Sequence, residues 1–400
     1  MKSHKMKKIT FLLFSSLMLS TLSACKESKK QQTTATETPS KETINPVYIG
    51  TYTRNEGFVD GKANGIYLMN KKSDGSLEMV KTVAEIINPS YVKISKDRKN
   101  LYAVSELGEN EDDSGYIYAY KINEDYSLTE LGKLSTEGFA PCQINIDNTD
   151  TFVFVANYVG GVVLEYKRNG DGSLTKVDKL EINKINPSEN TGNSHAHSVN
   201  IPASNKYIYI CDLGNDKIWI YDFDQNTGQL TPNQQPFVEV AKGAGSRHFA
   251  FTPNQKFAYS VNELNSTVTA FSYDSDSGRL TKIQTISTLP NDFEGENSCA
   301  EIEVHPNGKF LYASNRGHNS IVAFKIDQNT GQLQIINYQS TQGDFPRFFT
   351  LNKDGTMIYA ANQNTSNIAF LKIEENGGLS ASNINTVEVK TPVCIAFYNK

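Results

Sequence analysis

The chain has 400 residues, 38% hydrophobic and 21% charged, a composition that fits a soluble globular protein with a large buried core. Its net charge of −5 already counts Lys2, Lys5, Lys7 and Lys8 at the N-terminus, so the body is more acidic still; that argues against general nucleic-acid binding, which needs a basic face. Twenty Tyr, 20 Phe and 27 Gly against 13 Pro suit strands joined by tight turns.

Residues 1–25 read as a targeting segment. Lysines precede an apolar run from Ile9 to Leu22, short for a membrane span. The run ends in Leu22-Ser23-Ala24-Cys25. Small residues before a cysteine resemble the bacterial lipoprotein cleavage box. The resemblance implies a lipid on Cys25 and a membrane-anchored protein on the extracytoplasmic face; an ordinary secretory signal with a chance cysteine is the alternative. Residues 26–45 are polar and rich in Thr, Ser and Lys, the composition of a disordered tether. Residues 46–400 carry no linker-like break and read as one domain.

One unit then recurs: a short apolar strand, a turn, and a second strand ending in a polar residue. First strands start at Pro89, Pro141, Ala196, Ser246, Cys299 and Pro346, about fifty residues apart. Their partners end at Glu106, Asn157, Leu213, Glu263, Arg316 and Gln363. A third strand and a Gly-containing turn into a fourth follow, as in IVAFKI from Ile321 and NTGQLQI from Asn329. Four antiparallel strands at this period make a propeller blade. Residues 391–398 match a first strand without a second, and 47–52 a second strand without a first. Together they complete a seventh blade. The predicted fold is therefore all-β: a seven-bladed β-propeller of four-stranded antiparallel blades, closed by pairing the N- and C-terminal strands. Closure leaves no open sheet edge; two smaller β domains in an open stack are the alternative. Cys142, Cys211, Cys299 and Cys394 lie far apart in predicted strands with no CxxC spacing. They are expected as buried free thiols rather than disulfides or metal ligands.

In an up-and-down blade the first strand begins on the rim where the second ends. Ser90, Cys142, His197, Arg247, Ala300 and Arg347 therefore share one rim with Glu106, Glu263 and Arg316. These residues resemble the lactonase family of seven-bladed propellers, which includes the bacterial propeller-type 6-phosphogluconolactonase and the fungal carboxymuconate cycloisomerase. The carrying motifs are HAHS at His195, GSRHF at Gly245, VNELNS at Val261, AEI at Ala300 and SNRGH at Ser314, over about residues 46–398. The resemblance implies a catalytic group of His197, Arg247, Glu263 and Arg316. His195, Glu301 and His318 are candidate substrate contacts. No cofactor and no metal is called for.

Opening a lactone needs an attacking water, a base and donors for the developing oxyanion. Arg247 and Arg316 suit the oxyanion or a substrate carboxylate or phosphate; the alternative is salt bridges that only tie blades together. His197 is one candidate base and Glu263 the other, although arginines beside Glu263 would weaken it. His305, before a turn proline, reads as structural. Arg347 shares the repeat position of Arg247 but lies outside the motif set, so it is expected to be silent. The expected activity is hydrolysis of an anionic sugar lactone. Two other readings stay open: an anchored protein that holds a sugar acid or protein partner at a cationic mouth without catalysis, and a muconate-type cycloisomerase. The expected partners are a small anionic lactone or sugar acid and the membrane through Cys25, not nucleic acid.

Overall fold

The structure, a computed structural model, describes residues 44–184 and 194–399. The expected leader, the lipidation site at Cys25 and residues 26–43 of the expected tether lie outside the described residues. The rest is strand and turn, with one 3-10 turn at Ile182–Lys184. Seven antiparallel sheets follow in chain order. Blade 1 combines both ends of the chain: Pro392–Phe397 is innermost, then Pro46–Thr51, Ile66–Lys71 and Leu77–Ala84. Val47 faces Phe397 and Ile49 faces Ile395 across that junction, as the complementary half-blades predict. The inner strands of blades 2 to 7 are Val92–Ile94, Phe139–Ile146, Ala196–Asn200, Ser246–Phe251, Ser298–Val304 and Pro346–Leu351. Each neighbours the next, and the last neighbours Pro392–Phe397, which in turn neighbours Val92–Ile94. Blade 7 has its outer edge in two pieces, Leu379–Ala381 and Val387–Glu388, both on Asn367–Ile373.

Burial explains why these segments are strands. The second strands are mostly apolar and buried on both faces, as in Asn100–Ser105 and Phe257–Asn262, because each sheet packs face to face against its neighbours. Between blades 5 and 6, Phe257, Val261 and Val268 meet Leu311, Val322 and Phe324. The outermost strands, such as Leu77–Ala84, are largely exposed and carry Lys, Glu and Thr, which blunts their free edges.

A tyrosine clasp repeats around the ring. The Tyr hydroxyl of a second strand donates to the turn carbonyl between the third and fourth strands of the next blade. Tyr102 reaches Gly172 O at 2.9 Å, Tyr259 reaches Gly331 O at 3.0 Å and Tyr312 reaches Gly377 O at 3.1 Å. Tyr359 of blade 7 reaches Gly75 O of blade 1 at 2.8 Å, so the clasp crosses the closure. Gly331 is needed there: its φ is +73°, and a Cβ would lie 2.4 Å from the Phe257 ring. Blade 3 breaks the pattern with Phe154. Paired beside Phe154 is Glu165, buried with both oxygens lacking partners among the described residues.

All four predicted thiols are buried and free. One boundary differs from expectation. The inner strand of blade 2 begins at Val92 rather than Pro89, because Ser90 and Tyr91 stand outside the ladder.

Candidate active site

The ladder slips where the inner strands leave the rim. Ala196 pairs with Asp212 and Ser198 with Cys211, so His197 is left over. In the same way Arg247 is the extra residue between Ser246 and His248, and Arg347 between Pro346 and Phe348. Cys142 and Val393 occupy the equivalent bulges of blades 3 and 1. In blade 6 the slip spans two residues, Ala300 and Glu301. A bulge turns its extra side chain away from the pleat. In five blades it aims one side chain at the axis of the ring.

His197 and Arg247 are buried as a result, with exposures of 4% and 2%, and Arg347 is half-buried. Second strands add Glu263 and Arg316 from the same rim. Glu263 Oε2 lies 2.9 Å from Arg247 Nε and 2.9 Å from Arg316 Nη2. Backbone carbonyls hold the guanidiniums too: Arg247 Nη1 donates to Ala300 O at 2.6 Å, and Arg316 Nη2, the nitrogen paired with Glu263, also donates to Cys299 O at 2.7 Å. Ala300 leaves room for both. The Arg316 guanidinium also lies over the Phe345 ring, 5.0 Å from its centroid.

Burial pushes the Glu263 carboxyl up, but Arg316, Arg247 and Arg347 outweigh it and hold the acid below its ordinary value. Burial pulls Arg316 down to about 10. His197 is driven well below its usual value by burial first and then by Arg247, His248, Arg347 and Arg316. It is therefore a neutral imidazole at neutral pH, packed edge-on against Tyr158 and His248 with centroids 5.7 and 5.1 Å away.

These groups face a cavity of about 680 Å³. Its wall contains His197, Glu263 and Arg316, and also Arg347, Glu106 and Tyr158. Arg247 lies just beneath, bound to Glu263. Arg347, expected to be silent, is thus part of the pocket; the bulge that turns Arg247 inward turns Arg347 inward too. Arg347 Nη2 is 3.9 Å from Glu106 Oε1, and its guanidinium lies 5.6 Å from the Tyr52 ring centroid. Glu106 in turn accepts from Tyr52 Oη at 2.9 Å and from Ser90 Oγ. The site has two carboxylates on opposite walls, one held by two arginines and the other by two hydroxyls.

Three candidate contacts sit elsewhere. His195 donates from Nδ1 to Tyr158 O at 2.9 Å and stacks on that ring at 4.4 Å, so it braces a wall. His318 contacts Ser320 Oγ at 2.6 Å and packs against Phe293 and Tyr338, outside the cavity wall. Glu301, one residue further along the double bulge, points down the channel to His248. His305 caps a turn at the far end, meeting Gly355 O at 2.8 Å.

The lip was not foreseen. The loop after Glu106 contributes Glu109 and Glu111, and Glu56 joins them. Arg54 pairs with both Glu56 and Glu111. The expected cationic mouth is therefore a cationic floor under a carboxylate-rich rim. The run Glu109-Asn110-Glu111-Asp112-Asp113 was its signal in the sequence.

Fold and site together define a seven-bladed propeller with an arginine-floored pocket on its axis. The chain belongs to the lactonase family: the family described as "Lactonase, 7-bladed beta-propeller" matches residues 46–397. A 6-phosphogluconolactonase of Bacillus subtilis is 32% identical over 356 residues, covering 88% of this chain and 98% of the relative. One from Pectobacterium carotovorum is 32% identical over 291 residues, 72% and 82% of the two chains. Among solved structures, the periplasmic gluconolactonase of Pseudomonas aeruginosa matches with a TM-score of 0.80 at 28% identity, covering 89% of this chain and 99% of that one.

Proposed function

We propose that the chain is a lactone hydrolase that opens a sugar lactone by water attack in the axial pocket. The observation that carries this is the set of three guanidiniums, from blades 5, 6 and 7, two of them in the cavity wall with a neutral histidine and the third, Arg247, just beneath. Water adds to the lactone carbonyl, and the oxyanion forms against the arginines, whose charge is worth most in a water-poor site. His197 takes the proton of the attacking water. Collapse breaks the ring C–O bond, and the proton passes to the leaving alkoxide, giving a hydroxy acid. Glu263 is the orienter, because its Oε2 is already engaged by Arg247 and Arg316, whereas the His197 ring faces the cavity. Glu106 completes the opposite wall and positions Arg347.

The relatives named 6-phosphogluconolactonase and gluconolactonase support a six-carbon aldonolactone. The carboxylate lip weighs against a dianionic phosphate at the entrance, so the unphosphorylated lactone ranks ahead of its 6-phosphate. We also infer a lipid anchor at Cys25 and an extracytoplasmic location, supported by the cleavage-box sequence and by a relative described as periplasmic. The test is proton release, followed by pH-stat, from gluconolactone and 6-phosphogluconolactone with the full chain. Hydrolysis above background, with the unphosphorylated lactone favoured in kcat/KM, is expected. No hydrolysis of either lactone by folded protein would overturn the reading.

A further inference from the structure

The axial channel has a second compartment. Beneath the active pocket, Tyr91, Arg247, His248, Arg347, Phe348 and Val393 close around a void of about 10 Å³, room for about one water. Below this plug the channel widens again to about 520 Å³ between the inner strands of blades 6, 7, 1 and 2. Its walls are Tyr91, Phe348, Ile94, Ile302 and Tyr398, with the charged Lys93 and Glu303 between them, and it reaches the face opposite the active pocket; Glu303 Oε2 accepts from Leu351 N at 3.0 Å.

Glu301 lies at the inner end of this compartment and is 8% exposed. Its Oε1 accepts from Ile302 N at 3.0 Å and meets His248 Nδ1 at 2.9 Å. Its Oε2 is buried with no hydrogen-bond partner among the described residues, and so is His248 Nε2. Burial keeps His248 below its usual pKa, although Glu301 opposes this. The ring is neutral, with its Nδ1 proton on Glu301, so both unpartnered atoms are acceptors. Arg247 is within electrostatic range of Glu301, but its own contacts go to Glu263 and Ala300 O. A buried carboxylate with one bare oxygen is costly unless a donor or cation meets it. Aromatic walls at Tyr91 and Phe348 favour the cation.

The outer end is different. Lys96 and Arg98, on the turn after Ile94, border it. Each meets a neutral amide, Lys96 Nζ that of Asn148 and Arg98 Nη1 that of Asn399 at 3.2 Å. Asp150 and Asp147 are both in range of Lys96; Asp150 is occupied by the backbone amides of Lys96 and Asp97, and Asp147 by those of Thr149 and Phe152 and by Asn205. Glu301 and Tyr91 hold the same repeat position, so the two ends are about 10–15 Å apart at the strand rise.

We propose that this compartment is a binding site for a slender ω-amino acid, with its ammonium at the Glu301 carboxylate and its carboxylate at Lys96 and Arg98. The proposal does not depend on the lactonase reaction above the plug. It is tested by calorimetric titration of the full chain with 6-aminohexanoate, hexanoate, hexylamine and 6-hydroxyhexanoate. The expected result is binding of 6-aminohexanoate at least tenfold tighter than any of the other three. Glu301→Gln should weaken it at least tenfold, and the surface change Lys96→Ala several-fold with an unchanged Tm. If Glu301→Gln does not fold, the ligand series on the parent and Lys96→Ala still decide. Equal binding of hexanoate or 6-hydroxyhexanoate would overturn the ammonium assignment. Loss of binding in Arg347→Ala but not in Glu301→Gln would place the ligand in the upper pocket and overturn the site, as would no binding at all.

Discussion

Glu263→Gln separates a catalytic arginine floor from a structural one. The change keeps side-chain shape and removes one charge. It leaves Arg247 and Arg316, 2% and 5% exposed, without the negative charge that now sits 2.9 Å from each, since the amide oxygen that remains is neutral. Removing one partner of a buried ion pair costs about 3–5 kcal/mol. For a domain of about 350 residues, with unfolding entropy near 2.1 cal/mol/K per residue, that is a fall of about 4–7 °C in Tm. The freed guanidiniums should then bind an anion better than in the parent. Gluconate should raise the Tm of the variant more than that of the parent, by mass action on the folded state. The pH dependence has a defined sign. The folded carboxyl lies below its ordinary value, so its contribution is present above the ordinary carboxylate range and lost as pH falls through the folded pKa. The parent and variant should therefore converge in acid. Calorimetry at pH 7 and pH 3, with and without gluconate, reads all of this. A variant within about 1 °C of the parent at pH 7 and with the same gluconate response would refute the argument.

Four further outcomes are expected. Arg347→Ala should lower lactone kcat by roughly 10²–10³ if its guanidinium meets the oxyanion; a rise in KM alone would make it an anion anchor, and unchanged kinetics would remove it from the site. Burial, with Asp178 and Asp147 adding, raises the Glu165 carboxyl to about 8. That costs stability as pH climbs from the ordinary carboxylate value towards 8, so Glu165→Gln should gain about 3 kcal/mol at pH 7 and nothing at pH 4, and parallel Tm–pH curves would contradict this. Deleting residues 391–400 removes the inner strand of blade 1 and should cause aggregation or a large loss of Tm; a truncated chain that melts like the parent would argue against closure. Cys25→Ala should abolish acylation and detergent-phase partitioning, and equal partitioning of both forms would reject the anchor.

The scaffold was legible because it depends on periodic features. Apolar strands, glycine turns and a fifty-residue spacing survive in sequence, and the unpaired ends at Val47 and Cys394 announce their own junction. The catalytic rim was half legible, since strand ends place Glu263 and Arg316 without any knowledge of side-chain direction. What the sequence hides is the register slip. A one-residue bulge changes neither composition nor hydrophobic pattern, yet it decides that Arg347 faces the pocket. It also decides that Glu301, inside a two-residue slip, faces the lower compartment. The PRFF of blade 7 mirrors the SRHF of blade 5. That repeat was a better guide to Arg347 than its absence from the family motifs.

The bulges also separate what the fold needs from what the chemistry needs. Ladders resume on either side of each slipped residue, so the extra residue contributes little to sheet pairing. Its side chain projects onto the axis, where it meets ligand or its counterparts. Val393, Cys142, His197, Arg247 and Arg347 occupy this position in five blades, and Ser90 takes it in blade 2, between the bonds Glu106 N–Asn88 O and Val104 N–Tyr91 O. One side of the ring is thus uncharged and the other basic, which gives the pocket a polarity the sevenfold backbone lacks. On the proposed reading, a lactone lies with its carbonyl towards blades 5 to 7, away from Glu106. Exchanging Cys142 for a cation would remove that preference while leaving the blades intact.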